Sequence, residues 1–128
     1  MSPGGMVPGN PFGYRIDEVN RSGDDVVSAV VVFPLESDWF SGHFPGNPVV
    51  PGIALMGMVV DLMQQAMGPG LRPEGFKRVR FKQIIRPDTA VNVVIEPRVR
   101  ETGTFVFRLM KEKEVVCTGF VRVEKNDK

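Results

Sequence analysis

The sequence has few of the side chains that most often carry chemistry. Its 128 residues include one histidine and one cysteine, which excludes an intramolecular disulfide and argues against a zinc site built from several His and Cys ligands. No run approaches the roughly 20 apolar residues of a membrane-spanning helix. The chain does not begin with a basic segment followed by an apolar core, as a secretory signal would. We therefore expect no metal, no cofactor, no membrane association and a cytoplasmic location.

An excess of charge of one sign is also lacking. Sixteen Lys and Arg residues face fifteen Asp and Glu residues, a formal net charge of +1, so bulk electrostatics gives no reason to expect a nucleic acid or an acidic membrane as partner. A chain of this length with 42% hydrophobic residues is sized for one globular domain that buries roughly two thirds of its unfolded surface. The first thirteen residues hold four glycines and three prolines. We expect 1–13 to be a flexible leader and 14–128 to be one domain.

The order of secondary structure predicts an α+β domain. The β-branched run Asp25–Phe33 predicts a buried strand, and apolar residues on nearly every face between Pro51 and Gly68 predict a helix that is buried all round. A loop is expected through 72–75. Four further strands are expected at Phe76–Ile85, Ala90–Val99, Thr104–Lys111 and Val115–Val123.

The single histidine, His43, lies in a loop that prolines and glycines make rigid. The segment reads GHFPGNPVVPG from Gly42 to Gly52. Prolines restrict φ and glycines allow conformations closed to other residues, so this is a shaped loop and not a flexible linker. A histidine held in this way is suited to proton transfer near neutral pH.

This segment resembles the signature of the 3-hydroxyacyl-(acyl carrier protein) dehydratases of fatty-acid synthesis. The resemblance is specific over Phe40–Gly52 and diffuse over Tyr14–Val123. The matching residues are His43, Phe44, Pro45, Gly46, Pro48, Val49, Val50, Pro51 and Gly52. It implies a hotdog fold, in which an antiparallel sheet wraps around a central helix and dimers form the active sites at the subunit interface. A homodimer or a higher homo-oligomer is therefore expected.

The resemblance also implies roles for individual residues. His43 is the base, the backbone N–H of Gly52 binds the thioester carbonyl, and the backbone carbonyl of Val49 orients the histidine ring. Phe44, Pro51 and Gly57 are expected to contribute to substrate binding. The substrate would be a thioester of an acyl carrier protein or of coenzyme A.

One departure from the family concerns the second catalytic group. The family has a carboxylate fourteen residues after the histidine, in the central helix, and this chain has Gly57 there. Asp61 follows four residues later, on the same helical face, at a position where many of these dehydratases carry glutamine. Asp61 is either the replacement acid, acting with water, or a helix residue hydrogen-bonded to the partner subunit or to the sheet.

Gly57 keeps three functions open. The first is dehydration of a 3-hydroxyacyl thioester to the trans-2-enoyl thioester. The second is a non-catalytic subunit that binds or scaffolds acyl thioesters, including a hetero-dimer in which a partner supplies the missing carboxylate. The third is thioester hydrolysis. A serine nucleophile is not expected, since Ser37 and Ser41 lack the strand-turn-helix setting that such a serine needs.

Two further features carry predictions. The densest basic region is either a docking surface for an acidic carrier protein or a set of solvated strand faces. Its members are Arg72, Lys77, Arg78, Arg80, Lys82 and Arg86.

Cys117 lies in an apolar run and is expected to be a buried strand residue. Gln64 and Gln65 are expected to make structural hydrogen bonds near the helix end.

Overall fold

The computed structural model describes residues 13–34, 50 and 52–125. The predicted leader up to residue 12 and the site residues His43, Phe44, Val49 and Pro51 lie outside the described residues. The elements in chain order are β1 (Arg15–Arg21), β2 (Val27–Val32), α1 (Gly52–Met67), β3 (Leu71–Phe81), β4 (Val91–Pro97), β5 (Thr104–Lys111) and β6 (Glu114–Lys125).

The six strands form one antiparallel sheet in the order β1-β2-β4-β5-β6-β3. The strand that follows the helix, β3, pairs with the last strand β6 and lies at one edge, while β1 lies at the other. Both halves of the chain therefore contribute to one continuous surface. The predicted strand Thr104–Lys111 matches β5, and the predicted helix and remaining strands overlap α1, β2, β3, β4 and β6.

The core lies between α1 and one face of the sheet. From α1 it takes Ala54, Leu55, Met58, Val59, Leu62 and Met63. From the sheet it takes alternate residues of each strand, among them Val27, Ala29, Val31, Val91, Val93, Ile95, Phe107 and Leu109. Because side chains alternate along a strand, the other sheet face carries the partly exposed residues, in which apolar side chains such as Val30, Val94 and Val106 are mixed with polar and charged ones. Among the described residues, no helix is long and apolar enough to cross a membrane.

The prediction that α1 is buried all round is wrong for the single chain. Ile53 is 59% exposed, Asp61 and Gln65 are exposed, and Gly57 is partly exposed. These four residues follow one another at intervals of four and form a single line along α1, here called the open stripe. A single sheet layer covers only one side of a helix, so apolar residues on the opposite side remain uncovered.

Two strand predictions are also wrong. The expected loop at 72–75 belongs to β3, which begins at Leu71 and ends at Phe81 instead of Ile85. An edge strand tolerates Pro73 because its N–H is not needed on the open side, and the pairing with β6 shifts register between Pro73 and Gly75. The strand β1 is not predicted by the sequence pattern, because its residues are mostly polar and it lies at an exposed edge.

The prediction that Cys117 is a buried strand residue is confirmed. It is a free, buried cysteine in β6, paired with Leu109 on one side and Phe81 on the other. Burial raises the pKa of its thiol to about 11, so the thiol stays protonated at neutral pH. The reactive form of a cysteine is the thiolate, and Cys117 is therefore a packing residue.

Gly119 allows two strands to close over an aromatic ring. It lies opposite Phe107 in the β5–β6 pair. A Cβ added at Gly119 would lie 2.6 Å from Cζ of Phe107 and 3.1 Å from Cγ2 of Val79. Phe107 is fully buried and also meets Phe76 edge-to-face, with ring centroids 5.8 Å apart, so its ring cannot swing away.

We expect Gly119→Ala to lower the free energy of unfolding by about 1–3 kcal/mol, the usual cost of overpacking a core. Urea denaturation measures this. Gly23→Ala is the matched control, because a Cβ there meets nothing within 4 Å, and its midpoint should stay near that of the wild type. Equal midpoints for the two variants would show that the Phe107 pocket can relax.

Candidate active site

The start of α1 presents a backbone donor for which the described residues hold no acceptor. Gly52 is the first helical residue, and the first N–H groups of a helix have no acceptor within it. No described residue accepts a hydrogen bond from the Gly52 N–H. The positive end of the helix dipole adds to its attraction for negative charge. This amide is therefore suited to stabilise an oxygen that gains negative charge.

The surroundings of Gly52 come from the loop after β3 and from the end of β3. The N–H of Val50 donates to the Ile85 carbonyl over 2.7 Å, which fixes how the chain enters α1. The ring of Phe81 packs directly on Gly52, so that a Cβ there would lie 2.8 Å from Cζ of Phe81. Phe81 is 51% exposed and Ile84 is 53% exposed. Phe81 thus lies exposed at the helix start beside the first turn that carries Ile53, whereas Ile84 lines a separate groove with Arg86 and Lys111.

The described part of the chain connects two candidate residues of α1 through a tyrosine. Asp61 lies one turn beyond Gly57, and its Oδ2 accepts a hydrogen bond from the Tyr14 hydroxyl. The same hydroxyl oxygen lies 3.4 Å from the Gly57 carbonyl oxygen. The observed partner of Asp61 thus lies just before β1, and it belongs neither to the sheet nor to a second subunit, the partners named in the alternative to the acid role. The acid role of Asp61 stays a prediction.

Burial and charge keep the Tyr14 hydroxyl in its neutral form. Tyr14 is 2% exposed, and its ring meets Phe33 edge-to-face with centroids 5.3 Å apart. Burial raises the pKa of Tyr14 above its ordinary value, and the hydrogen bond and negative charge of Asp61 raise it further. The phenol therefore keeps its proton and acts as the donor. No local sequence pattern indicates this role of Tyr14, because it lies 47 positions before Asp61.

The roles predicted for His43, Phe44, Val49 and Pro51 lie outside the described residues and stay predictions. Gln64 has the structural role expected of it, since its Nε2 donates to the Leu71 carbonyl over 2.9 Å and ties the end of α1 to β3. In the described ranges, no group of three or more His, Cys, Asp or Glu residues could hold a metal ion.

The second notable surface is the sheet face opposite α1. Six cationic residues lie on it or border its grooves: Lys77, Arg78, Arg80, Arg98, Arg108 and Arg122. We call them the outer basic face.

Three residues of the outer basic face form ion pairs with carboxylates: Arg98 with Glu101 at 3.5 Å, Arg108 with Glu96 at 3.2 Å and Arg122 with Glu74 at 3.1 Å. The described residues offer no carboxylate to Lys77, Arg78 or Arg80. A groove of about 270 Å³ runs between Lys77, Arg98 and Arg122, where Arg98 also lies 4.8 Å above the Phe120 ring.

A β-bulge brings Lys77, Arg78 and Arg80 together on this face. Lys77 pairs with Phe120 and Arg80 pairs with Thr118, so Arg78 and Val79 face the single residue between those partners. Arg78 has φ 53, the left-handed conformation of a bulge residue. In a regular strand Lys77 and Arg80 would lie on opposite faces. Of the predicted basic region, Arg72 instead pairs with Glu124 at 3.6 Å, and Arg86 borders a separate groove.

The family to which the chain belongs follows from its match to a protein-family model. The model of the ApeI-like family, described as ApeI dehydratase, matches residues 19–120. The chain belongs to the ApeI-like dehydratase family. Among its relatives is a 3-hydroxyacyl-[acyl-carrier-protein] dehydratase FabZ of Levilactobacillus brevis, 27% identical over 91% of this chain and 86% of the relative. Another is FabZ of Caldicellulosiruptor saccharolyticus, 33% identical over 66% of this chain and 67% of the relative.

Solved structures support the fold of this ApeI-like chain. The dehydratase heterocomplex ApeI:P from Xenorhabdus doucetiae is similar with a TM-score of 0.74 and 20% identity, over 84% of this chain and 95% of that one. A putative thioesterase from Ralstonia eutropha has a TM-score of 0.62 and 16% identity, over 91% and 89% of the two chains. The predicted hotdog fold is confirmed.

Tyr14 should make the free energy of unfolding of this ApeI-like protein decrease at alkaline pH. Its pKa in the folded state lies above the ordinary value of about 10, so its contribution to stability is complete below that pH and is lost as the pH rises above it, where only the unfolded chain ionises. The free energy of unfolding, measured in urea, should therefore fall more steeply above about pH 10 for the wild type than for Tyr14→Phe. The other groups that titrate at alkaline pH are the same in the wild type and in Tyr14→Phe. Parallel curves would contradict the raised pKa.

Proposed function

We propose that this protein converts a 3-hydroxyacyl thioester into the trans-2-enoyl thioester and water. The observation that carries the proposal is the Gly52 N–H at the positive end of α1, for which the described residues hold no acceptor. In sequence it directly follows the His43 segment that matches the dehydratase signature. When a thioester carbonyl accepts a hydrogen bond from this amide, the proton on the neighbouring carbon C2 becomes more acidic. The reason is that the amide stabilises the negative charge on the enolate oxygen. Family membership supports the reaction class.

The proposed reaction uses two side chains. His43 takes a proton from C2, and the electron pair left behind forms the double bond between C2 and C3. The bond between C3 and the hydroxyl oxygen breaks, and this oxygen leaves as water with a proton that Asp61, as the neutral carboxyl in this step, delivers through a water molecule. The proton on His43 then returns to Asp61 through water, so neither group is consumed. General acid and base groups of this kind each contribute about 10²–10⁴-fold.

A homodimer is part of the proposal. The edge strand β3 spans Leu71–Phe81, and its N–H and C=O groups on the open side are available for pairing with another chain. The exposed ring of Phe81 at the end of β3 packs on Gly52, and the open stripe of α1, which includes Ile53, is a second surface that no described residue covers. Burying such surfaces between two copies would exclude water from the site around Gly52.

The proposed partner that delivers the substrate is an acidic acyl carrier protein. The outer basic face supplies three cations without a described carboxylate partner, and the three ion pairs on it are half-exposed, so they are weak and can be exchanged. Complementary charge mainly speeds encounter and sets orientation. A coenzyme A thioester is the alternative form of the substrate.

Gly57 favours a second candidate function. Without a carboxylate at that position, the chain would bind acyl thioesters as a non-catalytic subunit, or act in a hetero-dimer whose partner supplies the acid. The ApeI:P structure is described as a heterocomplex, which supports such pairing within this fold. Thioester hydrolysis is a third candidate, supported by the structural likeness to a putative thioesterase.

The deciding experiment gives purified protein a 3-hydroxyacyl thioester on a carrier protein and follows enoyl-thioester formation and release of free thiol. We expect enoyl product from the wild type and a loss of about 10²–10⁴-fold in His43→Ala, which lacks the base. Product from the wild type that His43→Ala abolishes would establish a dehydratase with an unusual acid.

Gly57→Glu separates the alternatives in the same assay. No product from the wild type, with activity in Gly57→Glu, would identify a binding subunit that lacks its acid. Free thiol without enoyl product would identify a thioesterase. Activity only after addition of a homologous subunit with a carboxylate at this position would identify a hetero-dimer.

Charge reversal on the outer basic face tests the carrier. Arg80→Glu should raise KM for the carrier-linked substrate by about tenfold at low salt, because steering by charge is lost, and high salt should reduce the difference. KM for an N-acetylcysteamine thioester, which has neither carrier nor phosphate, should not change. Lys113→Glu in the exposed β5–β6 turn alters net charge equally and is the matched control. An equal rise in both variants would contradict docking on this face.

A further inference from the structure

The segment that joins β3 to β4, here called the crossing loop (82–90), runs across one end of the sheet. In the sheet order, β6 and β5 separate β3 from β4, so the loop passes the ends of both strands. The N–H of Lys82 donates to the Val116 carbonyl over 2.7 Å. Toward its other end, the N–H of Asp88 donates to the Phe33 carbonyl over 2.8 Å. A groove walled by such a loop is formed before any ligand binds.

A groove of about 360 Å³ lies between the crossing loop and the end of β5. Arg86 and Lys111 supply positive charge to it, and Ile84, which is 53% exposed, supplies an apolar surface. Gln83 and Thr89 add hydrogen-bonding groups. The described residues place no carboxylate within ion-pair distance of Lys111. The groove therefore suits an anionic group that is attached to an apolar one.

The groove borders the chain that enters α1. Ile85, which lies between the lining residues Ile84 and Arg86, is buried, and its carbonyl accepts the N–H of Val50 over 2.7 Å. Val50 precedes Gly52 by two residues. The path from the Cα of either lining residue through this hydrogen bond to the Gly52 nitrogen is therefore about 16 Å long at most. The direct distance is shorter, because the path bends.

The other wall of the groove continues toward the outer basic face. Lys111 is the last residue of β5, and Arg108 of the outer basic face precedes it by three residues, about 10 Å along the strand. The proposed carrier contact and the Gly52 amide lie on opposite sides of the sheet. An arm that joins them has to pass around the sheet, and this groove lies at the end of the sheet that is near both.

The thioesters of acyl carrier proteins and of coenzyme A share one arm, phosphopantetheine. It begins with a phosphate, continues with a carbon that bears two methyl groups and a carbon that bears a hydroxyl, and ends at the thioester sulfur. About thirteen bonds separate phosphorus from sulfur, roughly 15 Å at the rise per bond of an extended peptide. With a hydrogen bond of about 3 Å at each end, the arm is long enough to join the groove to the Gly52 amide.

We propose that this groove binds the phosphate and the two methyl groups of the phosphopantetheine arm. The Arg86 guanidinium and the Lys111 ammonium bind the phosphate, and Ile84 packs against the methyl groups. Charge-assisted hydrogen bonds from Arg and Lys are strong and are widely used to bind phosphate. This inference rests on the proposed function and adds the part of the substrate that the protein recognises.

The test compares the 3-hydroxyacyl thioesters of phosphopantetheine and of pantetheine, which differ only in the phosphate. For the wild type we expect KM to be about tenfold lower with the phosphate. Lys111→Gln and Arg86→Gln should each raise KM for the phosphorylated substrate by about fivefold, as the loss of one charged hydrogen bond at a half-exposed site. KM for the pantetheine substrate and kcat for both should change by less than about twofold, because the lost contact is far from the reacting bonds.

Lys113→Gln is the matched control. It removes one positive charge from the exposed β5–β6 turn, two residues from Lys111, and it does not line the groove. An equal effect in Lys111→Gln and Lys113→Gln would overturn the phosphate site. Equal KM values for the two substrates in the wild type would do the same, and the dehydratase proposal would stand in both cases.

The carrier and coenzyme A share the phosphate, so Lys111→Gln should raise KM for both forms of the substrate. A rise for the carrier-linked form alone would show that Lys111 attracts the acidic carrier and does not bind the arm. That result would also overturn the phosphate site.

A binding measurement separates this inference from the proposed reaction. Unreactive thioether analogues of the two substrates are titrated into ¹⁵N-labelled protein, with inorganic phosphate as a third ligand. We expect the amide resonances of the crossing loop and of Lys111 to respond to the phosphopantetheine analogue at about tenfold lower concentration than to the other two ligands. Such binding without turnover by the wild type would support the groove and contradict dehydration. An equal response to inorganic phosphate would mean an adventitious ion only and would overturn the proposal.

Discussion

The packing of α1 against one face of the sheet is the contact on which the rest of the structure depends. The buried side of the helix supplies six residues to the core, and burying apolar side chains of this size contributes about 1.5–3 kcal/mol each. Because the helix is held there, its first amide and its open stripe acquire fixed positions. The candidate site is a consequence of that packing.

The same constraint divides the molecule into surfaces with different chemistry. On the helix side, the uncovered line from Ile53 to Gln65 and the edge strand β3 leave apolar and polar groups without a described cover. On the far side, alternation along β5 and β6 directs arginines outward, and the bulge in β3 adds Lys77, Arg78 and Arg80 to them. The proposed reaction and the proposed carrier contact thus use opposite sides of one sheet.

Much of the fold could be predicted from the sequence because its signals are local. The helix between Pro51 and Gly68 follows from apolar density and its stop residues, and the β5 strand follows from β-branched and aromatic residues between turns. The edge strand β1 could not be predicted in this way, since its polar residues are strand only through pairing with β2. The polar start of β3, beside Pro73, was missed for the same reason.

The candidate site also combines features that local sequence determines with features that depend on contacts between distant residues. The sequence alone determined the histidine loop, the glycine that opens α1, and the replacement of a carboxylate by Gly57, because these are properties of adjacent residues and their spacing. Only the tertiary structure decided that Tyr14 meets Asp61 and that cations from three strands and a turn share one face. Those contacts join residues far apart in the chain, and their geometry depends on strand register and on one bulge, which no local pattern encodes.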